Sequence, residues 1–303
     1  MKTPRLLTSI LAPFLFCAPL TCMCEASEAQ QPPPSGCCTP EATARAAESS
    51  KTIGVANVSL GMTPEEALPA LKAVNASFKI TVNRLDANWD YKALITQDSM
   101  IDPKKRWLLG LDAQTPRGEG GEQFQVQFTS PPSKPFVFNI HRQVDFATQG
   151  MPTVENIMAG LRKRYGPESA HPIAAGERLI WFFDEQGHAI QGNEAKQIQN
   201  NPNCHAQEGA SGPDLAWNTL AAPSTYRPVV GSAQCLPFTI VEARIAPVQM
   251  GSPLAVQLVI SITDYPLYNN GTNATYAWLN QVRKEIASQQ LNDAKKRGGT
   301  IKY

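Results

Sequence analysis

At 303 residues the chain is long enough to bury one large core or two modest ones. Its net charge of +1, from 27 Lys and Arg against 26 Asp and Glu, creates no global field that would hold a phosphate backbone, which excludes nucleic acid as the expected partner. Beyond Leu20 no apolar run reaches the roughly 20 residues that a spanning helix requires, so no transmembrane segment is expected in the mature chain.

The N-terminus carries Lys2 and Arg5, then an uncharged apolar stretch from Leu6 to Leu20, then small residues through Ala26 and Ala29. That order of basic, apolar and small predicts a secretory signal over residues 1–26, cleaved near Ala26 or Ala29. A membrane anchor fits less well, because the stretch is short and holds Pro13 and Pro19. A lipoprotein signal would attach lipid at Cys17, Cys22 or Cys24, but Phe16, Thr21 and Met23 precede them where a small residue is preferred. The expected location is therefore periplasmic or secreted, and removal of the signal leaves a formally neutral chain. Residues 27–51, rich in Pro, Ala, Ser and Glu, predict a flexible leader, with the folded body beginning near Ile53.

Thr63-Pro64-Glu65-Glu66 has a capping hydroxyl, proline at the first helical position and glutamate at the third. Ala67, Leu68, Leu71 and Val74 then predict an amphipathic helix to about Val74. Strands follow at Phe78–Val82, Trp107–Leu111, Gln123–Phe128 and Pro135–Val144, the last with Phe136, Phe138 and Ile140 on one face. The glycine-rich Arg117–Gly121 tract reads as a hairpin loop, since no helix follows it to make a phosphate cradle. A second helix opens at Pro152-Thr153, carries Val154, Ile157, Met158, Leu161 and Tyr165 at helical spacing, and stops at Gly166-Pro167. Leu179–Phe183 is a short buried strand ended by Asp184-Glu185-Gln186-Gly187. Gly192–Pro228 reads as one long polar loop. Two long strands, Phe238–Ala246 and Leu254–Thr263, pair through a hairpin, and a last helix begins near Thr272. Helix, strands, helix, strands, helix is the order of an α+β fold with antiparallel sheet. Two related helix-plus-sheet modules are expected, at 52–150 and 151–303.

Cysteines and charged side chains yield no catalytic residue. Cys204 and Cys235 are expected to form a disulfide that pins the long loop; a closed loop of about thirty residues is worth roughly 3–4 kcal/mol. Cys37 and Cys38 are adjacent, which suits intermolecular pairing or capping better than a bond to each other. His141, His171, His188 and His205 show no metal-binding spacing. A zinc site from His188, Cys204 and His205 would need adjacent side chains to chelate one ion. Neither a metal nor another cofactor is expected. Asp184, Glu185 and Asp264 are the best general acid or base candidates, but each ends a predicted strand, where turn-forming acids are ordinary. Trp181, Phe182 and Phe183 read as core rather than as a ligand groove. Lys295, Lys296 and Arg297 suit a helix C-terminus. Asn57, Asn75, Asn270 and Asn273 lie in N-x-S/T triplets, acceptors only on a eukaryotic secretory route.

Two segments carry a resemblance. Ile53-Gly54-Val55 with Leu60-Gly61-Met62-Thr63-Pro64-Glu65-Glu66-Ala67 resembles the opening of many exported proteins of Gram-negative bacteria. Met151–Pro167, followed by Trp181-Phe182-Phe183-Asp184 and Gly187, resembles a later segment of the same proteins. Both are similar to modules of the β-lactamase-inhibitor-protein type, a group that includes the small lipoprotein of the outer-membrane barrel assembly machinery. The resemblance implies helices packed on an antiparallel sheet whose face or loop grips another protein. The expected function is thus an exported, non-enzymatic binding module with a protein partner. The alternative is an exported hydrolase with its site around the 192–228 loop.

Overall fold

The computed structural model describes residues 39–86, 106–116, 120–172, 177–200 and 239–297. The expected signal, Cys37, Cys38, Cys204, His205, Cys235 and most of the long loop lie outside the described residues.

The chain enters the fold earlier than its composition predicts. Thr39 caps a helix, α1 (Pro40–Ser50), by accepting the Ala42 amide at 3.2 Å, with proline at the helix start. Thr43, Ala47 and Ser50 recur at helical spacing and are buried. The flexible-leader expectation is corrected for this stretch: α1 buries small side chains through close backbone approach, which a count of large apolar residues cannot register. A two-residue hairpin follows, β1 (Gly54–Val55) with β2 (Val58–Ser59). Gly61 then donates its amide to the Val137 carbonyl, and Met62 accepts the Val137 amide, both at 2.8 Å. At Gly61 φ is +71°, and a Cβ would lie 1.8 Å from the Ala47 carbonyl oxygen. Only glycine lets α1 approach so closely.

The helix α2 (Pro64–Val74) forms where the capping pattern predicts, and the Thr63 amide donates to the Glu66 carboxylate at 2.7 Å. A meander of β3 (Lys79–Asp86), β4 (Arg106–Gln114), β5 (Glu122–Phe128) and β6 (Val137–Asp145) follows. Then come α3 (Val154–Tyr165), β7 (Glu177–Phe183) and the short β8 (Ala189–Ile190). The segment Gly192–Asn200, expected as loop, is instead helix α4. Its only buried residues are Ala195 and Ile198, one short apolar patch in an otherwise polar sequence. Strands β9 (Thr239–Pro247) and β10 (Ala255–Asp264) lead directly into α5 (Tyr265–Arg297). That helix starts seven residues before the expected Thr272, because the Asp264 carboxylate caps it by accepting the Leu267 amide at 2.8 Å. Gly271, which argues against helix in the sequence, is demanded by packing: its Cβ would sit 2.9 Å from Cβ of Thr129.

The fold is α+β. Besides the β1–β2 hairpin, one antiparallel sheet runs in the order β3-β4-β5-β6-β10-β9-β7-β8. Residues 52–150 supply its first four strands and the later residues its other four. They join where β6 pairs with β10, Ile140 opposite Ile262. Alternation sends one face of the strands into the main core, where Phe124, Ile140, Ile262 and Trp181 share a cluster with Leu71 of α2 and Leu161 and Tyr165 of α3. Trp181 anchors it, with its ring 5.3 Å from Tyr165 and its indole N–H donating to the Gly166 carbonyl at 2.9 Å. The neighbour Phe182 points the other way, into a second cluster with Ile180, Ala195, Ile198 and Tyr265. Strand β7 is therefore covered on both faces, which explains its unbroken apolar run.

Candidate binding surface

The opposite face of the central strands is polar. In β5 the residues Gln123, Gln125 and Gln127 alternate with Phe124, Val126 and Phe128, and they stand opposite Gln143, His141 and Asn139 of β6. The next strand, β10, sets Gln257, Val259, Ser261 and Thr263 beside Asp145, Gln143, His141 and Asn139. On the other flank β4 sets Gln114 and Asp112 opposite Gln123 and Gln125, so across four strands this face is a field of amides and hydroxyls with few charges.

Cross-strand hydrogen bonds hold these side chains in place. Gln123 Nε2 donates to Gln143 Oε1 at 3.2 Å, Gln257 Nε2 to Asp145 Oδ1 at 2.7 Å and Asn139 Nδ2 to Thr263 Oγ1 at 2.8 Å. His141 Nδ1 lies 3.0 Å from Ser261 Oγ. Burial pushes the His141 imidazole below its ordinary pKa, and the Arg244 cation lowers it further, so this ring is neutral at neutral pH. One flank of the face carries a charge cluster: Arg178 grips the Glu242 carboxylate through two nitrogens at 2.9 and 3.1 Å, and Arg244 Nε donates to the same Oε1 that Arg178 Nε contacts. Most of the amides are half-buried, and the surface deepens toward Gln127 and Asn139, which are buried. These two are register partners, and each keeps a side-chain carbonyl oxygen without a hydrogen-bond partner among the described residues. At the other end the β9–β10 hairpin projects Val248, Met250 and Leu254, with Met250 92% exposed.

The acids singled out from the sequence are structurally engaged. Asp184 Oδ1 accepts the Gln186 and His188 amides at 2.9 and 2.8 Å, and Oδ2 faces the His188 ring at 3.2 Å. That is a turn-forming aspartate. Asp264 caps α5 and is buried. Glu185 is near enough for its charge to act on Asp264, while its own carboxyl is pushed up by burial and then by Asp184. His171 joins Glu177 at 2.8 Å, beside the Arg162–Glu168 pair, remote from these acids in sequence and bonding. Among the described residues, no three His, Cys, Asp or Glu side chains are placed to hold a metal ion. No helix among them is long and apolar enough to cross a membrane.

The polar face escaped the sequence reading, although its signal is present: glutamine at alternate positions of β5 is half of a strand pattern whose apolar half was used. Comparison with known protein families, with curated proteins and with solved structures finds no match.

Proposed function

We propose that the chain is exported to the periplasm or beyond, and works there as a non-enzymatic binding module that holds another protein against the polar face of its sheet. The observation that carries this reading is the hydrogen-bonded amide surface spanning β4, β5, β6 and β10. A solvated face is common in antiparallel sheets. This one differs in being nearly uncharged and laterally cross-bonded, so its side chains surrender little conformational entropy when a partner arrives. Exposed Met250 at its rim offers an adaptable apolar contact beside the polar centre. The basic-apolar-small N-terminus supports export, and the resemblance to inhibitor-type modules supports a protein partner.

The test is affinity capture from periplasmic extract and culture medium by the purified protein. A double variant, Gln125→Arg with Gln143→Arg, places two cations on the face, while Leu68→Arg on α2 serves as control. Proteins retained by the wild type and the control but lost by the double variant support the reading. Equal capture by all three overturns it.

A further inference from the structure

The two edges of the large sheet are finished differently. At one edge the backbone is covered. Strand β8 is two residues long, the Ile190 carbonyl accepts the Ser169 hydroxyl at 2.7 Å, and Ser169 and Ala170 bond the backbone of Ile180 beyond it. Helix α4 then follows at once from Gly192. Short edge strands and covering segments of this kind keep other chains from adding to a sheet. At the other edge β3 is eight residues long, holds no proline, and has no strand on its outer side among the described residues. Alternate residues of an antiparallel edge turn their N–H and C=O groups outward. Strand β3 therefore presents a row of donors and acceptors whose complement is another strand.

Its side chains identify that strand. The register with β4 stays regular from Lys79 to Asn83 and shifts before Arg84. In this stretch Ile80 and Val82 stand opposite Ala113 and Leu111 of the core, whereas Lys79, Thr81 and Asn83 lie on the polar face. The order polar, apolar, polar, apolar, polar is symmetric about Thr81. Val82, on the core face, is still 44% exposed.

We propose that the Lys79–Asn83 edge of β3 pairs antiparallel with the same edge of a second copy, about a two-fold axis at Thr81, joining two eight-stranded sheets into one. An axis normal to the sheet keeps each residue on the same face in both copies, and opposed residues of an antiparallel pair share a face. Centred on Thr81, Ile80 of each copy meets Val82 of the other on the core face. On the polar face Lys79 arrives opposite Asn83, whose side-chain amide donates to Asp112 Oδ2 at 2.7 Å. Each ammonium thus comes beside a carboxylate. Neighbouring registers lose this match: centring on Val82 sets Ile80 against the Arg84 cation, and centring on Ile80 keeps only Lys79–Thr81 within the strand. The pairing runs the polar face of one copy into that of the other, and it holds whatever that face binds. Five residues from each copy make a small contact, so the dimer forms at high concentration and exchanges with monomer.

Sedimentation of the purified protein at concentrations up to about 1 mM reads the association. The wild type should shift toward dimer as concentration rises. Thr81→Lys sets two ammonium groups face to face at an exposed position, and it should stay monomeric. A wild type that stays monomeric throughout, or a Thr81→Lys variant that dimerises equally, overturns the proposal. Oxidation of a Thr81→Cys variant tests the register. Trypsin releases position 81 in the peptide Ile80–Arg84, which holds no native cysteine. Two copies of that peptide joined through their introduced thiols support the pairing, since opposed Cβ atoms lie about 5 Å apart. In Asn83→Cys the introduced thiols stand about 13 Å apart along the paired strands, and the linked peptide should not form. Equal yields from the two variants reject the pairing centred on Thr81.

Discussion

Gly61→Ala is the most revealing single change in the fold, because it isolates the contact that makes α1 an integral element. The substitution costs two separate things. Left-handed backbone at φ +71° penalises any side chain, by about 1–2 kcal/mol. The added methyl carbon would also stand 1.8 Å from the Ala47 carbonyl oxygen, and this is backbone, which no side-chain rotation can relieve. Forcing α1 away from the Gly61–Val137 link adds about 1–3 kcal/mol, as in other overpacked interiors. The total is about 2–5 kcal/mol. Gly150→Ala supplies the control, since Gly150 has φ +95° with nothing within 4 Å of its Cβ position. Urea unfolding of both variants separates backbone strain from packing. The reasoning is refuted if Gly61→Ala costs no more than Gly150→Ala to within about 0.5 kcal/mol, the scatter expected of independent surface changes.

Three other outcomes follow from the same structure. Trp181→Ala should cost about 3–5 kcal/mol in urea unfolding, since it empties a fully buried site and orphans the Gly166 carbonyl; a loss below about 1 kcal/mol would contradict its place in the core. The Arg162 guanidinium pulls the Glu168 carboxyl down to about 2, so this pair stabilises above the ordinary carboxylate range and is lost as pH falls through it. Arg162→Gln should therefore remove about 1 kcal/mol near neutral pH and progressively less as pH falls toward about 2, read by acid-dependent urea unfolding, the modest figure reflecting a half-exposed arginine. Mass mapping under non-reducing conditions should return a peptide linking Cys204 to Cys235 in exported protein. Recovery of both as free thiols would remove the expected bond.

How far the fold could be read from the sequence depends on how local each signal is. Thr63 and Thr153 with their downstream helix faces fixed α2 and α3 closely, because capping and helical spacing act within a few residues. The strands β5, β6, β9 and β10 were legible for the same reason, through alternation. Helix α1 was not, since Thr43, Ala47 and Ser50 are buried by fitting closely rather than by being large. Helix α4 rests on Ala195 and Ile198 alone, too little for a pattern. The start of α5 was hidden because Gly271 looks like a breaker until Thr129 is known to press against it. Pairing of β6 with β10 joins residues more than a hundred positions apart, as in the Asn139–Thr263 bond, and no local rule reaches that far. The polar face is an outcome of that pairing. Each strand shows only its own glutamines or hydroxyls, and the surface exists once four strands lie side by side.

The central claim is that this face, and not the side covered by α2 and α3, meets a partner. A photo-crosslinking amino acid placed at Gln125 or, separately, at Leu68 in cells producing the protein tests it most directly. A discrete protein adduct from position 125, absent from position 68, is the result the account predicts. An adduct from position 68 with none from position 125 would contradict it.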